Sequence, residues 1–255
     1  MYYETFGKPE NPPLMFLHGE DFVQCFAQLY DLSEQYYIIV PHIYGYGREL
    51  EQEYDTTRAF DGICEIADAL PEKPVLVGFG LGAQLAAILA AKRSMVFRGA
   101  MFISPLLVKD DAEMKKEINR LLFNRFRHQF TFITNAEAKK YGLDELQTKS
   151  YYAYCLQVSK ATLIKSVKNG IFLSSFSKKF SESPIPMYAI CGAKETKAIR
   201  VDTINQLAML NEHCRVEMWP DAEHDIPFMH ADKLRKKVIR LMDRAYGIKR
   251  PKDNA

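Results

Sequence analysis

The chain has 255 residues, of which 47% are hydrophobic and 26% are charged. This length accommodates one sizeable hydrophobic core with an insertion, and it does not require two full domains. The formal net charge is +2 and the pI is near 8.2, so we expect neither a nucleic acid nor a membrane surface as partner.

Targeting signals and cysteine usage limit where such a protein works. No apolar run approaches the ~20 residues that a membrane-spanning helix needs, and the N-terminal residues lack the pattern of a signal peptide. We therefore expect a cytoplasmic protein. The five cysteines are widely separated and no two form a C-x-x-C pair. This spacing favours reduced thiols and argues against a structural zinc site.

Short apolar runs and helical patterns alternate along most of the chain. The first two predicted strands, residues 2–6 and 14–17, are separated by a proline-rich turn and are expected to form a hairpin. Further strands are predicted at 37–40, 75–77, 100–103, 187–191 and 216–219. Helices are predicted at 22–30, 57–70, 83–92, 201–210 and 231–246. This alternation indicates an α/β fold with a mostly parallel central sheet and helices on both faces.

The alternation stops between Leu107 and Pro184. This stretch carries helical periodicity and no convincing strand pattern. We therefore interpret residues 108–183 as an inserted helical cap, and residues 1–107 together with 184–255 as the core. We expect most aromatic side chains of the insertion to pack its helices against one another, and a minority to line a ligand pocket.

The sharpest signal lies between the strand at 75–77 and the helix at 83–92. Residues 78–82 read G-F-G-L-G, which has the spacing of the G-x-S-x-G nucleophile turn of serine hydrolases, with Gly80 at the serine position. Glycine-rich turns also cradle phosphates in nucleotide-binding folds. That alternative expects the turn after the first strand and an acidic residue about 20 positions later. Here at least two predicted strands precede the turn and Lys92 and Arg93 follow it, so we discount nucleotide binding.

The second strand ends in Leu17-His18-Gly19-Glu20, which supplies a second element of such a site. A His-Gly turn lets the next backbone amide face the nucleophile turn, so we predict an oxyanion hole made by the amides of Glu20 and Leu81. The alternative is an ordinary strand-ending turn.

A carboxylate pointing into this hole would repel a ligand anion. Both Glu20 and Asp21 are candidates for such repulsion. We expect the Glu20 side chain to turn outward, because only its amide is required. The hole should then hold a water, an anion or a ligand oxygen within hydrogen-bond reach of both amides.

The third and fourth elements follow the last two strands. Glu195 comes soon after the strand at 187–191 and is our candidate acid, although a solvated loop charge is the alternative. His224 follows the last strand on a loop of small and acidic residues and is the candidate general base. The order Gly80, Glu195, His224 is that of nucleophile, acid and base in this fold. Other histidines do not combine this loop with this order: His42, His128, His213 and His230.

Taken together, these motifs resemble the α/β-hydrolase superfamily, and in particular its small cap-bearing serine-hydrolase-like members. The resemblance covers nearly the whole chain. Residues 41–48, P-H-I-Y-G-Y-G-R, are similar to the P-D-x-x-G-x-G-x segment of that group, with His42 in place of the usual Asp. The resemblance implies hydrolysis of carboxylic esters, thioesters, amides or related bonds. It also implies a small-molecule acyl substrate and no cofactor.

Glycine at the nucleophile position cannot attack a carbonyl, and loss of a triad nucleophile costs on the order of a million-fold in turnover. Three explanations stay open. The glycine is an engineered change, or a natural feature of a non-catalytic relative, or part of an enzyme that uses His224 and Glu195 without a serine. The N-myc downstream-regulated proteins resemble this chain in carrying G-x-G-x-G and are regarded as non-enzymatic. We therefore predict an impaired esterase-like hydrolase, with a non-catalytic ligand-binding or interaction protein as the alternative.

Overall fold

The computed structural model describes residues 1–20, 22–105, 107–108, 110–168, 172–195 and 199–249, with the side chains of 199–202 excepted. Its centre is a seven-stranded sheet. The strands are β1 (Tyr3–Phe6), β2 (Pro13–Leu17), β3 (Tyr37–Pro41), β4 (Val75–Phe79), β5 (Gly99–Ile103), β6 (Met187–Gly192) and β7 (Cys214–Trp219). Their order in the sheet is β1-β3-β2-β4-β5-β6-β7. Strand β1 is antiparallel to β3, and all other neighbours are parallel.

Ten α-helices are found in the described residues. They are α1 (Thr56–Asp68), α2 (Leu81–Lys92), α3 (Asp111–Arg127), α4 (Thr131–Lys140), α5 (Glu145–Gln157), α6 (Lys160–Lys168), α7 (Ser177–Ser181), α8 (Ile199–Leu210), α9 (Ile226–Met229) and α10 (Ala231–Tyr246). Helices α3 to α7 fall between β5 and β6, where the sequence predicts the insertion. We call residues 108–183 the inserted segment.

Burial explains why the central strands are continuous apolar runs. All residues of β2, β4, β5 and β6 are buried, as expected for parallel strands covered on both faces. Helix α2 is buried over all of its residues except Lys92, so it is a core helix. The predicted α/β fold with a mostly parallel sheet is therefore confirmed.

Two local predictions are wrong. Strand β1 pairs with β3 and not with β2, so the expected hairpin does not form, and β3 lies between the two strands. The helix predicted at 22–30 is replaced by turns and a 3₁₀ helix at Ala27–Glu34. Backbone bonds there close from residue i+3 to residue i, as in Cys25 N–H to the Phe22 carbonyl at 3.3 Å.

Two further findings concern the described helices and the cysteines. None of these helices is both long and apolar enough to cross a lipid bilayer. All five cysteines are free thiols, and four of them are buried. Burial raises the pKa of the Cys25 thiol to about 12, so this side chain behaves as a small apolar group.

Candidate functional site

The turn between β4 and α2 has the backbone of a strained strand-to-helix junction. Gly80 stands directly before α2, with φ 52° and ψ −113°, a region that side chains disfavour. Its amide donates to the Ile103 carbonyl at 3.0 Å, and the Gly82 amide donates to the His18 carbonyl at 3.0 Å. These bonds fix the turn to the ends of β5 and β2.

The flanking glycines are required by close backbone packing. A Cβ on Gly82 would lie 2.0 Å from the Leu17 carbonyl oxygen, and a Cβ on Gly78 would lie 2.3 Å from the Gly82 carbonyl oxygen. Such distances leave no room for a methyl group. The G-x-G-x-G frame is therefore set by the packing of α2 against β2 and β4.

The Glu20 side chain turns inward, so the expectation that it points outward is wrong. It is 2% exposed, and its Oε2 atom accepts a hydrogen bond from the Leu81 amide at 3.2 Å. A Cβ built on Gly80 would lie 2.3 Å from that same oxygen. The carboxylate thus occupies the space into which a side chain at position 80 would project. Asp21 lies outside the described residues.

Arg120 of the inserted segment explains why a carboxylate is stable there. Its Nη2 atom donates to Glu20 Oε1 at 3.0 Å, and its Nε atom donates to both carboxylate oxygens of Glu117 at 2.9 and 3.0 Å. A buried carboxylate needs charged or hydrogen-bonding partners. Since α3 supplies the guanidinium, the inserted segment is connected directly to the nucleophile turn.

The candidate acid and base are also in contact. Glu195 Oε2 lies 3.1 Å from His224 Nδ1, while Oε1 of the same carboxylate accepts from the Gly192 amide at 2.9 Å and from the Ser104 hydroxyl. On the other side of the imidazole, Nε2 lies 3.7 Å from Glu20 Oε1. His224 therefore stands between two buried carboxylates.

Close packing brings the loops of the acid and the base together. A Cβ on Gly192 would lie 2.1 Å from the Ala222 carbonyl oxygen. Ser104, which follows β5, has φ 49° and is the one non-glycine residue with positive φ in the described part of the chain. This conformation accompanies its hydroxyl contact with Glu195.

Sequence reasoning missed Ser104, Glu117 and Arg120. A serine at the carboxyl end of a predicted strand is a usable signal, because such ends meet at the site in parallel sheets. Arg120 and Glu117 have no comparable signal, since charged residues on a predicted helix are usually solvated. Their role depends on tertiary contacts that bring Arg120 of α3 to Glu20.

Two of the other histidines are engaged elsewhere. His42 Nδ1 accepts from the Arg48 amide at 2.9 Å and so serves as an acceptor within the 41–48 loop. Burial, followed by the Arg48 charge, lowers the pKa of His42 to about 4. His128 Nε2 lies 2.8 Å from Glu137 Oε2, within the inserted segment.

Two cavities meet at His224. The outer one has a volume of about 260 Å³ and combines polar and charged groups. The inner one has a volume of about 40 Å³, is mainly aromatic and includes Glu20. Outer lining residues include Arg120, Arg127, Glu137, Lys140, Tyr151 and Asp225, and inner ones include Phe22, Phe79, Tyr141 and Phe228.

The arrangement contains a candidate acid, a candidate base and the Leu81 amide of the predicted oxyanion hole, but position 80 lacks a nucleophile. The role of the Glu20 amide as the second donor stays a prediction. The Leu81 amide is bound to Glu20, so the hole holds a carboxylate of the same chain. Within the described residues, no three His, Cys, Asp or Glu side chains are grouped to hold a metal ion.

Comparison with known proteins supports the fold. A model of the alpha/beta hydrolase family matches residues 14–237. A carboxylesterase structure from Nitrososphaera gargenis is 11% identical with a TM-score of 0.77, covering 96% of this chain and 95% of that one. The enol-lactonase from Burkholderia xenovorans LB400 is 14% identical with a TM-score of 0.74, covering 94% and 95%. A thermophilic esterase from Thermogutta terrifontis is 16% identical with a TM-score of 0.72, covering 96% and 93%.

These identities are low, so the structural likenesses establish the fold alone. No curated protein matches the sequence.

Proposed function

The chain belongs to the alpha/beta hydrolase family, and from this premise we propose a serine-hydrolase-type protein for carboxylic esters or related acyl bonds that lacks the covalent step. The observation that carries the proposal is Gly80 at the nucleophile turn, beside a histidine in contact with a buried carboxylate. The side chain of Gly80 is a hydrogen atom, which cannot form an acyl-enzyme. The neighbours Phe79 and Leu81 provide no nucleophile either.

The inward Glu20 side chain is a second obstacle to hydrolysis of an acyl bond. A substrate carbonyl oxygen would need the Leu81 amide, and Glu20 Oε2 already accepts from it. Even a water activated by His224 would approach a carbonyl that is not polarised at this amide. Both effects lower the rate of acyl-bond hydrolysis, so turnover by a His224–Glu195 pair alone should be slow.

A second candidate function is ligand binding without catalysis. The specific observation in its favour is that Glu20 fills the space of the missing side chain and is held there by Arg120. The outer cavity is retained beside this pair. Such a protein would keep the pocket of a hydrolase and use it to hold a small molecule.

We further propose that the inserted segment, residues 108–183, acts as a cap over this pocket. Three of its helices contribute to the outer cavity, through residues such as Arg120 of α3, Lys140 of α4 and Tyr151 of α5. Lys140 Nζ donates to Asp225 Oδ2 at 2.7 Å, which connects α4 to the loop that carries His224.

The test is a panel of short-chain p-nitrophenyl esters, assayed on the parent chain, Gly80→Ser and the double variant Gly80→Ser/Glu20→Ala. We expect the parent to hydrolyse the esters slowly at most. We expect hydrolysis by the double variant, and less by Gly80→Ser alone, since its Cβ would meet Glu20 Oε2. The control is Glu72→Ala added to Gly80→Ser, which removes an Arg98-paired carboxylate.

Two results would contradict the proposal. Efficient turnover by the parent that is lost in His224→Ala would show a working mechanism without serine. A folded double variant that binds an ester without hydrolysing it would show that the acid and base are not arranged for acyl chemistry.

A further inference from the structure

We propose that the pocket at the nucleophile turn recognises small carboxylate ligands, and that the Glu20 side chain is a built-in competitor for this site. The inference rests on the proposed function, since it assumes that the pocket beside Gly80 still admits a small molecule. It adds the chemical class of the ligand and a device that controls access.

The Glu20 carboxylate shows which groups at this position hold a carboxylate. Its Oε2 atom accepts from the Leu81 amide at 3.2 Å, and its Oε1 atom accepts from Arg120 Nη2 at 3.0 Å. His224 Nε2 lies 3.7 Å from the same Oε1 atom. A guanidinium, a backbone amide and an imidazole thus converge on one carboxylate from three elements of the fold.

These three groups remain in place when the Glu20 side chain rotates away. Leu81 belongs to the buried start of α2, and Arg120 is held on α3 by Glu117 through bonds of 2.9 and 3.0 Å. His224 is held by Glu195 at 3.1 Å. The vacated position would therefore present the Leu81 amide and the Arg120 guanidinium as donors to a carboxylate from outside, with the His224 imidazole beside them.

The cavities provide room for the rest of such a ligand. The outer cavity of about 260 Å³ reaches both Arg120 and His224. The inner cavity of about 40 Å³ adjoins Glu20 and is walled by rings such as Phe22, Phe79 and Phe228. Removing the Glu20 side chain would enlarge the inner cavity. An aryl or short alkyl group therefore suits the apolar part of the ligand.

Gly80 is what allows the competitor to enter. With a Cβ at position 80, Glu20 Oε2 would lie 2.3 Å away, so the carboxylate would have to shift from its inward position to admit a serine. A tethered side chain competes at a high effective concentration, of order millimolar or above. Its removal should therefore strengthen the binding of a free carboxylate by at least tenfold.

The test uses benzoate, with its neutral isostere benzamide as the ligand control, in calorimetric titrations. The proteins are the parent chain, Glu20→Ala, Glu20→Ala/Arg120→Met, and Glu72→Ala as a matched carboxylate removal outside the site. We expect Glu20→Ala to bind benzoate at least tenfold more tightly than the parent, and more tightly than it binds benzamide. Loss of Arg120 should reverse most of this gain, and Glu72→Ala should behave as the parent.

Equal benzoate affinity in the parent and Glu20→Ala would overturn the proposal. So would benzamide binding to Glu20→Ala as tightly as benzoate, because the site would then recognise shape and not charge. If the Arg120 variant fails to give a cooperative thermal transition, adding Glu117→Met removes the buried carboxylate it would leave, and the titration is repeated. Fluorophosphonate labelling of the parent tests the proposed function separately, since labelling would contradict the missing covalent step whatever the titrations give.

Discussion

The two sides of His224 use a buried glutamate in different ways. On the Nδ1 side, Glu195 accepts from the Gly192 amide and lies 3.1 Å from the imidazole, as a triad acid requires. On the Nε2 side, Glu20 lies where a triad would have its nucleophile, and its oxygen is 3.7 Å from the imidazole. On the Nδ1 side a carboxylate contacts the imidazole directly, while the Nε2 side has a carboxylate at a longer distance and a glycine.

The difference teaches that one missing side chain changes the role of its neighbours. Because residue 80 has no Cβ atom, the Glu20 carboxylate can accept a hydrogen bond from the Leu81 amide and another from the Arg120 guanidinium. The acid side has no such vacancy, because Ser104 and Gly192 enclose the Glu195 carboxylate.

The largest expected effect tests the base that both sides share. Adding His224→Ala to the Gly80→Ser/Glu20→Ala double variant should lower kcat for a p-nitrophenyl ester by at least a thousandfold, because serine would lose its general base. The measurement is steady-state hydrolysis, with His213→Ala as the matched histidine control. A triple variant that keeps its turnover would remove His224 from the mechanism.

A somewhat smaller effect is expected at the acid. In the same double variant, Glu195→Gln should lower kcat by about a hundredfold or more, because the amide no longer stabilises the imidazolium that forms on His224. The shape of the pH profile of kcat should change as well as its maximum value. Loss of folded protein alone would lower the maximum without changing the shape. An unaltered profile and rate would show that Glu195 supports the loop only.

The third prediction compares two glycines of the turn, one packed against a backbone oxygen and one packed against a side-chain oxygen. Gly82→Ala should lower the free energy of unfolding by about 3 kcal/mol or more, because its Cβ meets the Leu17 carbonyl oxygen of the backbone. Gly80→Ala should lower the free energy of unfolding by less, about 1 to 3 kcal/mol. This cost arises because alanine is strained at the positive φ of residue 80 and because the Glu20 side chain has to move. Urea unfolding measures both values. The comparison fails if Gly80→Ala is the more destabilising change.

The smallest expected effect is the change in the free energy of unfolding per pH unit that comes from His18. This residue directly follows β2, next to the turn at Gly80. Burial first, offset in part by the Gly19 carbonyl, lowers the pKa of His18 to about 3 from 6.5. Its Nε2 atom accepts from the Ile43 amide at 3.1 Å, so the folded protein holds this imidazole neutral.

The unfolded chain binds a proton at His18 below pH 6.5, and the folded chain does so only near pH 3. Stability is therefore lost as the pH falls through this window, by roughly 1.4 kcal/mol per pH unit. His18→Gln should remove this part of the acid sensitivity, which urea unfolding at pH 7.0 and 4.5 measures. Identical losses in parent and variant would show that His18 titrates normally in the fold.

Much of the fold could be predicted from periodicity and turn residues. The strands at β4 to β7 and the helix at Ala231–Tyr246 follow directly from buried apolar runs and a helical pattern. The pairing of β1 with β3 could not be predicted from local patterns, because the paired residues lie over thirty positions apart along the chain. The 22–30 segment buries a helical set of side chains, so its 3₁₀ backbone bonds have no distinct sequence signal.

The residues of the candidate site were predictable because each follows a strand in a fixed order. Gly80, Glu195 and His224 have that local context. The structure places Glu195 against His224, and the Glu20 carboxylate lies between His224 and position 80. The direction of the Glu20 side chain was not predictable in this way. It depends on Arg120, which reaches the site only through the packing of the inserted segment.

The central claim is that the inward Glu20 carboxylate and a side chain at position 80 compete for the same space. Intact-mass measurement of fluorophosphonate labelling rates tests it directly, on Gly80→Ser, Gly80→Ser/Glu20→Ala and the control Gly80→Ser/Glu72→Ala. The structure predicts that the Glu20→Ala double variant is labelled at least ten times faster than the other two, since its serine meets no carboxylate oxygen and its Leu81 amide is open. Equal labelling rates in all three proteins would contradict the claim.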